Sequence, residues 1–141
     1  MGLDCSHDAW HGAYSAFNRF RQSVAKACGG SFPPHDPGYA DVDDLGRVIL
    51  GDQWYYETSV VPGCHLAGMT AFLGHSDCDG VLTPAECVQV AAFLRWAACR
   101  IPTTPVSAAT LHITWRPRDA AIRFAEGCEA AAQAGEDLEF G

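Results

Sequence analysis

The stretch from His75 to Glu86 constrains this chain most, because it places carboxylates and a glycine between two apolar segments. It runs HSDCDGVLTPAE. The segments on either side, residues 66–73 and 88–99, are apolar and long enough to be helices. The pattern predicts a helix–loop–helix unit whose oxygen-rich loop binds a cation.

The spacing of the oxygen donors matches a twelve-residue calcium loop. Such a loop takes ligands from positions 1, 3, 5, 7, 9 and 12 and needs glycine at position 6 for a sharp turn. With Gly80 at position 6, Leu82 falls at position 8, which we expect in the core. The stretch therefore resembles an EF-hand loop, and the resemblance covers only the loop and its flanking helices. The metal ligands that it implies are His75, Asp77, Asp79, the Val81 carbonyl, Thr83 and Glu86.

His75 departs from the EF-hand pattern, which opens on aspartate. Imidazole is a poor ligand for calcium and a good one for zinc, copper, iron or nickel. The expected cofactor is a divalent cation, either weakly bound calcium or a transition metal such as zinc. Cys78 and Cys87 leave open a mixed zinc set with His75 and Asp77, although no Cys-x-x-Cys pair supports it.

The same residues also have an interpretation without a metal. Thr83 suits the N-cap of a helix, Pro84 its first position and Glu86 its third, where the Glu86 side chain closes a capping box. Residues 77–80 would then be a polar turn. Both interpretations remain open at the level of the sequence.

Composition narrows the class of protein. The chain has 141 residues, of which 48% are hydrophobic and 18% charged, as in one globular domain. The net charge of −8 argues against nucleic acid or an anionic membrane surface as the partner. Residues 1–8 are polar and lack the pattern of a signal peptide, no apolar run is long enough for a membrane span, and the seven cysteines have no framework spacing. We expect a cytoplasmic protein with reduced thiols.

We predict a mainly α fold: a single domain, residues 1–141, of about four helices. The parts are a helix at 14–28, a long irregular loop at 29–63, a helix–loop–helix at 65–100 and a C-terminal helix at 117–134. One short β-hairpin is also expected, and residues 111–115 are predicted to form a strand that pairs with residues 48–50.

The first and third helices carry distinct apolar patterns. Phe17, Phe20 and Val24 recur on one face of the first helix, and Arg19 and Arg21 are expected on its solvated face. Residues 88–98 leave almost no polar face, so this helix is expected to be buried in the centre or to form a homodimer contact. Most cysteines, Cys99 included, stand in apolar company and are expected in the core.

The segment before the first helix is rich in metal-ligand types. Cys5, His7 and His11 alternate with Asp4 and Asp8. Such a cluster can hold a metal. The other interpretation is a polar segment that caps the following helix.

Four stretches together resemble a group of small uncharacterised proteins encoded in phage and bacterial genomes. They are MGLD at 1–4, WHGAYSAFNRFR at 10–21, HSDCDG at 75–80 with Cys87, and LEFG at 138–141. The resemblance implies an association with phage and carries no activity.

Three functions fit these features. The first, favoured here, is a non-enzymatic metal-binding interaction protein with a protein partner or a homodimer contact. The second is a metal-dependent enzyme in which His75, Asp77 and His11 leave a coordination position open for an activated water. The third is a metal-free partner-binding or inhibitor protein that uses the aromatic group Trp54–Tyr56.

Overall fold

The chain is mainly helical, and the four α-helices of the described residues carry the core. The computed structural model describes residues 2–29, 40–42, 48–50, 60–75, 79–102, 106–108 and 113–141. The four-helix, mainly α prediction is confirmed. No helix in the described ranges has the length and apolar character that crossing a bilayer requires. The helices are α1 (Tyr14–Ala27), α2 (Leu66–Leu73), α3 (Pro84–Ala98) and α4 (Pro117–Ala134).

Short strands accompany the helices in antiparallel pairs. The pairs in the described ranges are β1 (Gly2–Cys5) with β2 (Trp10–Ala13), β3 (Ala40–Val42) with β4 (Val48–Leu50), β5 (Val81–Leu82) with β8 (Leu138–Glu139), and β6 (Val106–Ala108) with β7 (Ile113–Trp115). The predicted pairing of 48–50 with 111–115 is wrong, because each of those strands pairs with its neighbour in sequence. Closing a short hairpin costs less chain entropy than joining segments some sixty residues apart. The expected irregular loop at 29–63 consequently contains the hairpin β3–β4.

Aromatic rings fill the centre of the helical core. Phe17 and Phe20 from α1 meet Phe72 from α2 and Phe124 from α4, with ring centroids 5.2 to 6.2 Å apart. All four side chains are fully buried. Each contributes roughly 1.5–3 kcal/mol of burial free energy. The stripe predicted on α1 therefore faces the core, as expected.

Capping residues at the helix ends set the bounds of α3 and α4. Thr83 accepts the Glu86 N–H while the Glu86 side chain accepts the Thr83 N–H, so the predicted capping box is present. Pro117 opens α4, and Gly135 ends it in the left-handed conformation at φ 68°. The predicted bounds of α4 are confirmed, because proline at the first position and glycine after the last act within one turn.

Several expectations about burial are wrong. Arg21 is 4% exposed, and its guanidinium lies 4.7 Å from the Phe17 ring centroid and 5.8 Å from that of Phe72, where cation–π attraction offsets part of its desolvation. Cys99 is exposed. Val88 is 59% exposed, so α3 is not buried on every side, and the alternative expectation of a homodimer contact stays a prediction. The polar segment before α1 does not cap it; it folds as β1–β2, and the N-cap residue Ala13 makes no side-chain cap.

Two glycines allow backbones to approach closely. A methyl group on Gly68 of α2 would collide with the Gln89 carbonyl of α3, and one on Gly127 of α4 would lie 2.5 Å from Ala9 Cβ. The neighbour of Gly127, Ala9, closes the 3-10 turn Ser6–Asp8.

We predict that Gly68→Ala lowers the free energy of unfolding by about 1–3 kcal/mol, because the added methyl must push α2 away from α3. Urea unfolding followed by circular dichroism measures the change. Gly63→Ala is the matched control, since a methyl there meets nothing within 4 Å. A Gly68→Ala protein as stable as the wild type would contradict the close approach of the two helices.

Candidate functional site

The loop between α2 and α3 turns at Gly80. This residue has φ +92°, a conformation that favours glycine, and a methyl group there would also lie 3.2 Å from His75 Cε1. The glycine expected at the sharp turn is thus required by the backbone. Val81 and Leu82 follow as β5, with Leu82 fully buried, as expected.

The loop brings its first and seventh positions together. The His75 Nε2–H donates to the Val81 carbonyl oxygen at 3.0 Å. The imidazole also stacks on Phe140, with ring centroids 4.0 Å apart and planes inclined by 26°. The His75 imidazole and the Val81 carbonyl, which were expected to bind a common ion, therefore form a hydrogen bond with each other.

Thr83 and Glu86 satisfy each other. The Thr83 N–H donates to Glu86 Oε1 at 3.0 Å, and the Glu86 N–H donates to Thr83 Oγ1 at 3.3 Å. The N-terminus of α3 uses both side chains in this arrangement. Thr83 and Glu86 therefore cap α3, as the interpretation without a metal predicts.

The other candidate ligands of the loop region are Asp77, Cys78, Asp79 and Cys87. Asp79 is exposed and its side chain has no hydrogen bond or ion pair in the described ranges, while Asp77 and Cys78 lie outside those ranges. Cys87 is fully buried and donates its S–H to the Leu82 carbonyl at 3.6 Å, so it does not face the loop as the mixed zinc set would require. Among the described residues, no three His, Cys, Asp or Glu side chains are gathered as a metal site.

The closing segment of the sequence, residues 136–141, holds the loop from the other side. β8 pairs with β5 in the register Val81↔Glu139 and Leu82↔Leu138. The Phe140 N–H then donates to the Gly80 carbonyl at 3.0 Å. Leu138 and Phe140 are both buried in this arrangement, and no local pattern in the sequence indicates that they dock on the loop.

A second polar cluster surrounds His11 on the β1–β2 hairpin. His11 Nδ1 lies 3.0 Å from Asp4 Oδ1, and His11 Nε2 lies 2.7 Å from Asp8 Oδ1. Both hydrogen bonds raise the pKa of His11 above its ordinary value, and the bond to Asp4 has the larger effect. The hydrogen bonds that Asp8 receives lower its pKa below the ordinary value; the bond from His11 has the largest effect, followed by the bond from Arg123. Because each imidazole nitrogen takes its own carboxylate, the cluster does not converge on a metal.

The turn that carries this cluster is strained. His7 and Asp8 have φ values of 57° and 60°, which non-glycine residues rarely adopt. Arg123 holds the turn by donating Nε–H to the Asp8 carbonyl at 3.0 Å and Nη2–H to Asp8 Oδ1 at 2.9 Å. The Ser6 hydroxyl lies 3.0 Å from His7 Nδ1 and accepts the Glu139 N–H at 2.8 Å. The sequence pattern singles out His7, Asp8 and His11, but it gives no sign of Arg123, which is 115 residues from Asp8.

A shallow groove of about 250 Å³ lies beside the hairpin. Trp10 forms part of its wall, and the buried indole N–H has no hydrogen-bond partner in the described ranges. Arg116 and Asp119, at the start of α4, also line it. His11 and Arg123 complete the polar lining but are already bound to Asp8.

The chain matches no family model, no curated protein and no solved structure. The resemblance to small phage and bacterial proteins therefore stays a prediction. The aromatic group Trp54–Tyr56 lies outside the described residues.

We predict that Asp4→Asn and Asp8→Asn each bring the pKa of His11 down toward its ordinary value of about 6.5, because each variant removes one carboxylate from the imidazole. Proton NMR titration of the His11 ring measures the shift. Asp137→Asn, which changes an exposed carboxylate elsewhere, serves as the control.

The raised pKa has a consequence for stability. His11 stabilises the fold fully below its unfolded pKa, and this contribution is lost as the pH rises through the higher folded value. The difference in melting temperature between wild type and His11→Gln should therefore be largest in mild acid and shrink toward alkaline pH. A difference that grows with pH would contradict this assignment.

Proposed function

We propose that the loop of residues 75–86 binds a divalent cation, and that the protein is a small metal-binding interaction module. The observation that carries the proposal is the 3.0 Å separation between His75 Nε2 and the Val81 carbonyl oxygen. Two neighbouring ligands on one ion with bonds of about 2.1 Å are about 3.0 Å apart in octahedral geometry and about 3.4 Å apart in tetrahedral geometry. The short separation of these two atoms supports the proposal that they share one ion.

The chemistry of the pair favours a transition ion over calcium. Imidazole nitrogen is a better ligand for zinc or nickel than for calcium. Binding requires the proton of His75 to reside on Nδ1, so that the Nε2 lone pair faces the ion.

Glu86 and Asp79 are the carboxylates proposed to complete the site, with Asp77 and Thr83 expected from the sequence. Glu86 has to exchange its hydrogen bond to the Thr83 N–H for the ion. The net value of one such bond is about 1 kcal/mol, which a metal–carboxylate contact readily exceeds. The capping box and the metal site are then alternative uses of the same side chain.

The remaining parts of this proposal stay predictions from the sequence. They are a protein partner or homodimer contact and a cytoplasmic location. The described feature that favours a protein contact is Val88, a valine 59% exposed on α3 directly after the loop. A metal-dependent enzyme is less favoured, because His11 is already bound to Asp4 and Asp8.

We predict that the metal-free protein binds one zinc or nickel ion, and that His75→Gln weakens this binding roughly tenfold or more. Isothermal titration calorimetry with each metal measures the affinity. Calcium should bind more weakly than either ion. Failure of zinc, nickel and calcium to bind at micromolar concentrations would refute the proposal.

Glu86→Gln separates the metal role of Glu86 from its capping role, because glutamine also closes a capping box. We predict that the variant keeps the melting temperature of the metal-free protein and loses roughly tenfold in metal affinity. Glu126→Gln, an exposed carboxylate on α4, is the control and should bind as the wild type does. Equal affinities for all three proteins would place the ion elsewhere, for example on cysteines.

A further inference from the structure

The outer side of α3 carries a narrow apolar seam. Its members recur at spacings of three, four, four and three residues, so they lie within an arc of about 80° at about 100° of rotation per residue. The seam consists of Ala85, Val88, Ala92, Trp96 and the C-cap residue Cys99. Four of these residues are exposed, Val88 by 59%, and Trp96 is half-buried.

The contacts of α3 with its neighbours lie on either side of the seam. On one flank, the Gln89 carbonyl meets Gly68 of α2. On the other, Arg95 donates Nε–H and Nη2–H to Glu129 of α4 at 2.9 and 2.6 Å. The seam runs between these two contacts and faces outward, which leaves an unusually apolar strip of helix in water.

The Trp96 ring has a defined position at one end of the seam. Its centroid lies 5.7 Å from that of His65, and the Arg100 guanidinium carbon lies 5.4 Å from the Trp96 centroid. A large ring held in this way loses little side-chain freedom when a partner packs on it, which is the property of an interface anchor.

The spacing of the seam is the same in both directions along the helix. Ala92 is its midpoint, Val88 and Trp96 stand four residues to either side, and Ala85 and Cys99 stand seven to either side. An antiparallel second copy of α3 would therefore place Val88 against Trp96 and Ala85 against Cys99, twice over. This reciprocity is what a two-fold interface requires. The small side chain at the midpoint allows the two helices to approach closely.

The charges at the two ends of α3 are opposite in sign. Asp79, Glu86 and Glu139 lie near its N-terminus. Near its C-terminus, Arg118 donates to the carbonyls of Ile101 and Cys99, and Arg100 donates to the Ala27 carbonyl. Neither arginine is in an ion pair within the described ranges. Two antiparallel copies would bring the acidic end of each helix to the basic end of the other, which favours this orientation over the parallel one.

We propose that the seam is a self-association surface on which a second copy of this chain packs its own α3 antiparallel, about a two-fold axis at Ala92. The inference rests on the interaction part of the proposed function and not on the cation. A helix of fifteen residues is about 22 Å long, and one face of it buries less than the roughly 800 Å² per partner of a standard interface. The dimer is therefore weak and forms with rising concentration.

The test is sedimentation equilibrium of the full chain, kept reduced and in the presence of a metal chelator, from about 5 µM to about 500 µM, the range in which a small interface associates. We expect monomer at the low end and dimer at the high end. A monomer throughout, or a larger assembly, would overturn the inference. Because no metal is present, this outcome is independent of whether the loop of residues 75–86 binds an ion.

Val88→Asp should weaken the dimer by roughly tenfold or more, because it places a charge in the contact. Val88 is exposed in the single chain, so the variant should keep the circular dichroism spectrum of the wild type. Ala130→Asp, at an exposed position of α4, adds the same charge elsewhere and is the matched control. Equal association of the two variants would contradict the seam.

Cross-linking tests the orientation of the two helices. In a Cys64→Ser background, Ala92→Cys should give a disulfide-linked dimer on mild oxidation, because residue 92 meets its own copy at the axis. Ala130→Cys in the same background should not. Cys99 of the two copies would be roughly 21 Å apart in the antiparallel arrangement. A link between Cys99 and Cys99 in the background protein would indicate parallel helices and overturn the proposal.

Discussion

The pairing of β8 with β5 is the contact on which the rest of the structure depends. It buries Leu138 and Leu82 completely and places Phe140 against His75. The same closing segment donates the Gly141 N–H to the Asp4 carbonyl of the hairpin. Each fully buried leucine contributes roughly 1.5–3 kcal/mol. A few residues thereby join the loop to the hairpin.

Local chemistry made the helices predictable from sequence. The proline at 117 and the glycine at 135 gave both bounds of α4, and the box formed by Thr83 and Glu86 gave the start of α3. Such signals act within one turn of the chain and need no knowledge of distant residues. The apolar spacing on α1 likewise indicated its buried face.

Contacts between distant segments were not predictable in the same way. Nothing local to Val81 indicates that its strand partner lies near Glu139. The sequence predicts Arg21 on the solvated face of α1, yet its guanidinium lies against aromatic rings from α1 and α2. The loop itself shows the same division: its glycine turn followed from spacing, whereas the hydrogen bond from His75 to Val81 required the folded backbone.

The central claim is that one ion replaces the hydrogen bond between His75 and Val81, and an anomalous difference map of zinc-loaded crystals tests it most directly. The account predicts a single strong peak within bonding distance of His75 Nε2 and the Val81 carbonyl oxygen. A peak at the cysteines or at His11, with the His75–Val81 hydrogen bond intact, would contradict it.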